Sequence, residues 1–186
     1  MTTSENIYDF RKLYSQPQMQ TRYFFFSEGK KIIAKIVEFD YVGINEGRDT
    51  YNLGFGTYNR KTNNREDYEI SSNEDAYMVF HTVLSTIPHF LQNYPEAMIM
   101  IKGSDSAAAY PEICRTDCKK KCIPPDCKNA HRRINIYKSF LNKNLEQLTL
   151  EYIFWGRAKD DENQDIILEE YRAVNNYNSI FFAKKL

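Results

Sequence analysis

Apolar positions along this chain follow two periods, and the points where one gives way to the other mark its elements. Arg22-Tyr23-Phe24-Phe25-Phe26 begins a strand, and Ser27-Glu28-Gly29-Lys30 supplies the turn after it. Residues 31–41 form a second strand, with Ile33, Val37 and Phe39 on one face and Ile32, Ala34 and Ile36 on the other, so both faces are partly covered. A third strand, residues 51–57, carries Gly54 and Gly56, which in a strand mark a bulge or a close approach to the backbone. A fourth is expected at 67–71, completing an antiparallel meander. The period then changes. Ser72-Asn73-Glu74-Asp75 reads as a capped helix start, followed by Ala76, Val79, Phe80, Val83, Ile87, Phe90 and Leu91 at helical spacing. Pro88 is expected to kink its last turn and Pro95 to end it.

Residues 97–102 (AMIMIK) predict a short buried strand. Ile134, Tyr137, Phe140 and Leu141 predict a second helix, residues 148–155 a strand, and residues 179–184 a last strand. The first 20 residues read as a polar N-terminal arm, part of it a short helix through Ile7, Phe10 and Leu13. The economical arrangement is an α+β fold: one mixed, largely antiparallel sheet of about six to seven strands, with two helices packed on one face. At 186 residues the chain fits a single domain, 1–186.

Composition narrows the partners only a little. A 42% apolar fraction with 14 Tyr and 12 Phe implies a real core. The 25 basic and 25 acidic residues cancel, so no global field commits the protein to nucleic acid or membrane. Locally the balance breaks: residues 114–133 hold seven Lys/Arg and two Asp, and residues 160–170 hold six acids and no base. Residues 1–14 lack an apolar core segment and no run approaches a membrane span, so a cytoplasmic location is expected.

Candidate chemistry concentrates in one window. All four cysteines, Cys114, Cys118, Cys122 and Cys127, lie within 14 residues. Four thiolates match the count that a tetrahedral zinc ion needs, and His131 is a fifth candidate. Structural zinc and idle thiols both remain open on spacing alone, because this is not the usual pair of CxxC knuckles; a catalytic zinc would find no open position among four thiolates. A second candidate is an anion site: Gly103 and Ser104 at a strand end, facing the helix that starts near Arg133, with Tyr137 one turn further along. Residues 71–75 could line a pocket but read mainly as a cap. The three histidines form no triad, and the acidic block has no calcium-loop pattern.

Several segments together resemble a bacterial family known only as a domain of unknown function. They are Tyr23 to Gly29, Tyr51 to Gly56, Asp67 to Asp75, Asn93-Tyr94-Pro95, Lys102-Gly103-Ser104, Arg133 to Tyr137 and Asn176 to Phe182, together covering about residues 22–186. Members resembling this pattern pass almost directly from Gly-Ser to an Arg-x-Arg helix start. Residues 107–131 therefore look like a Cys-rich insertion, and Asn135 replaces the second Arg. The resemblance implies the fold order and an intracellular bacterial origin, and it implies no activity.

The function expected from these features is an interaction module. Its Cys-clamped basic loop, with structural zinc as the candidate cofactor, docks an anionic protein or nucleic acid, a role that would suit an accessory of toxin–antitoxin or phage-defence systems. The alternative is an enzyme acting on phosphate esters or nucleotides. Gly103, Ser104, Arg133 and Tyr137 would hold the phosphate, with Asp75 or Asp105 as base.

Overall fold

The computed structural model describes residues 7–66, 73–103, 105–106, 110–115, 122, 127–158 and 168–185. The expected strand at 67–71 lies outside them. The chain is α+β and largely antiparallel, with nine strands and three helices among the described residues rather than six to seven and two. It packs as two compact units, residues 1–99 and 100–186.

In the first unit, β1 (Phe10–Gln16), β2 (Gln20–Ser27), β3 (Ile33–Asn45) and β4 (Arg48–Asn59) pair antiparallel in chain order. A three-residue β5 (Asn64–Glu66) pairs with β4. β1 corrects the expected loose arm and short helix. Its residues are mostly exposed, so no alternation announced it, and backbone pairing from Phe10↔Phe25 to Gln16↔Gln20 holds it in place. The β3–β4 hairpin turns through Glu46 (φ 49°) and Gly47 (φ 71°), consecutive left-handed residues suited to the twist of a tight hairpin.

Register puts Tyr23, Val37 and Phe55 in one row and Thr21, Phe39 and Leu53 in the next, all on the same face. The helix α1 (Ala76–Asn93) packs its apolar stripe there. Phe90 stacks on Phe39 with ring centroids 4.1 Å apart and planes 4° from parallel, and Tyr51 meets the Phe90 ring at 5.0 Å. Val79, Val83, Ile87, Phe90 and Leu91 are buried as the spacing predicts, joined by Thr82 and Thr86, whose hydroxyls bond back to Met78 and Val83 carbonyls. Ala76 is exposed and Phe80 only half-buried, so the stripe is narrower at its start. The helix continues through Pro88 to Asn93, and Tyr94 N–H closes it on the Phe90 carbonyl.

Ser72, the first residue of the expected cap, lies outside the described residues, while Asn73 and Asp75 join a longer-range network. Asp75 precedes α1 but makes no side-chain cap bond. Its Oδ2 accepts from the hydroxyls of Tyr8 (2.9 Å) and Ser27 (2.5 Å). Asn73 donates to Ser27 Oγ and to the Lys31 carbonyl, and accepts from Lys31 N–H. A Cβ on Gly29 would lie 2.7 Å from Asn73 Cγ, so the glycine lets the amide pass.

On the opposite face, buried Glu38 bridges Arg22 (3.0 Å) and Arg65 (3.1 Å). Gly54 makes this possible, because a Cβ there would sit 1.8 Å from Arg65 Nη1. At Gly54, one of the two strand glycines, the expected close approach is therefore that of a guanidinium.

β6 (Met98–Lys102) carries the chain out of the first unit. The second unit contains α2 (Tyr110–Arg115), α3 (Arg132–Leu148), β7 (Tyr152–Ala158), β8 (Glu169–Glu170) and β9 (Tyr177–Lys184). β7 pairs antiparallel with both β8 and β9. α3 buries Ile134, Tyr137 and Leu141, while Phe140 stays half-buried. The helix runs on to Leu148, so the strand expected from 148 starts at Tyr152, and Leu150 lies in the intervening turn, 76% exposed. Among the described residues no helix is long and apolar enough to cross a membrane.

Candidate functional site

Lys102 ends β6, and the chain turns at once: Ser106 N–H donates to the Gly103 carbonyl at 3.0 Å. This turn places Asp105 and Ser106, 5% and 3% exposed, against the start of α3. Asp105 Oδ2 accepts the Arg133 backbone N–H at 3.0 Å, and the Asp105 carbonyl accepts His131 N–H at 3.0 Å. His131 itself takes a left-handed conformation (φ 59°) and makes no side-chain cap bond, so the capping anion comes from 28 residues upstream. A Cβ on Gly103 would lie 2.6 Å from Ser106 Oγ and 2.7 Å from Asp105 Oδ1, which is why this position needs a glycine.

The residues expected to hold an anion are therefore placed unequally. Gly103 is buried beneath Asp105 and Ser106, Arg133 is half-buried at the α3 start, and Tyr137 is buried a turn further along. Ser104 lies outside the described residues. One N–H group at the helix start, that of Arg133, already serves the Asp105 carboxylate.

Next to this cap the cysteines gather. α2 supplies Cys114, and a turn closed by Ala130 N–H on the Cys127 carbonyl (3.0 Å) supplies Cys127. The same turn sends Lys128 N–H to Cys122 Sγ at 3.2 Å and the Asn129 side-chain amide to Cys114 Sγ at 3.3 Å. Burial pushes the Cys127 thiol up. The N–H groups of Asn129 and Ala130 and side-chain hydrogen bonds from Cys114 and Cys122 outweigh it, leaving the thiol below its ordinary range. Tyr110, at the start of α2, is raised by burial and then by the nearby Cys114 and Asp105, with a hydrogen bond to Cys114. Cys114, Cys122 and Cys127 are thus close neighbours, half-buried, and none is in a disulfide. Cys118 lies outside the described residues, and among those described no set of three His, Cys, Asp or Glu side chains has the arrangement of a metal centre.

Around the thiols the charge is basic. Arg115, Lys128 and Arg132 are exposed, Arg115 at 3.9 Å from Glu112. His81 and His89 lie on α1, against Tyr77 and Phe10 respectively. Sequence reasoning missed three contributors: Asp105 as the cap, Asn129 as a donor to sulfur, and Tyr110. An acid or amide has no local signature when its partner is many residues away.

Compared with known families, residues 5–110, more than half of the chain, match the model of a family described as a family of unknown function (DUF6934). The match starts ahead of Arg22 and ends at Tyr110. It takes in β1 to β6 and α1, and it leaves the Arg133–Tyr137 and Asn176–Phe182 pieces outside. No curated protein and no solved structure matches the chain.

Proposed function

The chain belongs to this family of unknown function, and from that premise we propose that it is a binding module whose thiol-gathered basic segment, residues 110–133, docks an anionic macromolecule, protein or nucleic acid. The observation that supports the reading is the convergence of Cys114, Cys122 and Cys127 on the 127–130 turn, with Lys128, Asn129 and Ala130 supplying their N–H donors. Arg115, Lys128 and Arg132 are exposed beside these hydrogen-bonded positions. Preorganised charge binds an anionic surface with less ordering cost than a flexible loop does.

The enzyme reading has less behind it. Its phosphate would share the α3 start with the Asp105 carboxylate, which already caps the Arg133 N–H, and like charges placed together repel.

Fluorescence anisotropy with a labelled oligonucleotide and a labelled polyglutamate tests the proposal. The protein should bind at least one of them, more weakly as salt rises, and the triple variant Arg115→Glu, Lys128→Glu, Arg132→Glu should lose that binding. If the intact protein binds neither probe, the reading is wrong.

A further inference from the structure

We propose that Cys114, Cys122 and Cys127 bind a thiophilic divalent metal ion of the zinc class, and that Asn129 positions these ligands. The inference deepens the docking reading, because the ion would fix the shape of the same segment. Three sulfurs reach one locus: Cys114 from α2, Cys122, and Cys127 from the 127–130 turn. Such convergence is uncommon for idle thiols, which gain little by meeting one another.

The hydrogen bonding around the sulfurs is that of a thiolate site. Lys128 N–H aims at Cys122 Sγ and the Asn129 amide at Cys114 Sγ, while Asn129 and Ala130 N–H groups face Cys127. Donors to sulfur spread the negative charge that several thiolates on one ion would otherwise concentrate. Thiols hydrogen-bonded to one another still carry protons, and a bound ion would take the place of those protons. A tetrahedral ion with bonds of ~2.3 Å needs sulfurs ~3.8 Å apart, a spacing of the order at which thiols hydrogen-bond. Among the described residues no three such side chains stand in a metal centre's arrangement, so the sulfurs would have to rearrange around the ion. Cys118 enters only as the remaining thiol of the motif in sequence.

Asn129 serves two of the three sulfurs, Cys114 through its side chain and Cys127 through its backbone. Asn129→Asp keeps the size, removes the side-chain donor and adds a negative charge beside the thiolates. It should weaken the metal by about 10- to 100-fold.

The experiment is a cobalt(II) titration of the reduced full-length chain without oxygen. The expected result is one equivalent bound, with sulfur-to-cobalt charge-transfer absorption and the d–d bands of a tetrahedral site, both displaced by zinc. Each of Cys114→Ser, Cys122→Ser and Cys127→Ser should diminish the charge-transfer band. A count of reactive thiols in the intact protein, with and without zinc, needs no variant, and at least three should become protected. Absence of the charge-transfer band together with unprotected thiols overturns the proposal. Metal binding without anion binding would leave this inference standing and remove the docking reading; anion binding without metal binding would do the reverse.

Discussion

Asp105 Oδ2 accepts the Arg133 backbone N–H at 3.0 Å, so the second unit closes the start of α3 with an anion of its own. The bond satisfies a donor that no preceding helical carbonyl can reach and complements the positive end of the helix dipole. Asp105→Ala should lower stability by about 1–2 kcal/mol, and Asp105→Asn by less. The same alanine variant uncovers the helix start. Inorganic phosphate should then raise its thermal midpoint more than that of the unchanged protein. Equal stabilisation of both proteins would mean the anion binds elsewhere.

In the first unit, Gly54 and Arg65 are equally interdependent. A methyl at position 54 would displace a guanidinium that pairs with buried Glu38, leaving Glu38 more dependent on Arg22. Gly54→Ala should cost about 1–3 kcal/mol in urea unfolding. Combining it with Arg65→Ala should cost less than the two single losses added, since both act on the same pair.

Tyr8 and Ser27 meet on one oxygen of Asp75, tying the start of the described chain to the end of β2 and the start of α1. Tyr8 N–H also donates to Thr82 Oγ1 at 2.8 Å, a bond that Tyr8→Phe retains. Tyr8→Phe and Ser27→Ala should each destabilise by about 0.5–1.5 kcal/mol, with a measurable coupling in the double variant. Strict additivity would show that the two hydroxyls act independently.

Alkaline pH should weaken both units through buried phenols. Burial and then nearby Tyr94 push Tyr23 up to about 12, and burial and then Tyr177 push Tyr171 up to about 12, from an ordinary value of 10.0. Between those values the folded chain holds protons that the unfolded chain has released. The stability these groups contribute is therefore complete below pH ~10 and lost as pH rises toward ~12. The Tyr23 hydroxyl has no hydrogen-bond partner among the described residues. Tyr23→Phe should accordingly be nearly neutral in stability at pH ~7 and should flatten the alkaline fall, as seen in urea midpoints against pH.

Legibility in the sequence followed the range of the interactions. β2, β3, β4, α1 and β6 were readable because burial sets their periodicity, residue by residue. β1 was not, since pairing holds it and most of its side chains face water. β7 was displaced because no breaker follows Leu145, and α3 therefore absorbs Leu148. Gly54 signalled a close approach, but only coordinates identify Arg65 as the group that approaches. The cysteine window was visible from spacing alone. Its donors, Asn129 and Lys128, were hidden among ordinary polar residues, and the Asp105 cap has no local pattern to reveal it.

The most direct test of the docking account is the affinity of the chain for a labelled polyanion before and after complete alkylation of its thiols. Alkylation prevents the sulfurs from meeting but leaves every lysine and arginine in place. The account predicts salt-sensitive binding beforehand and its loss afterwards, and unchanged binding after alkylation would contradict it.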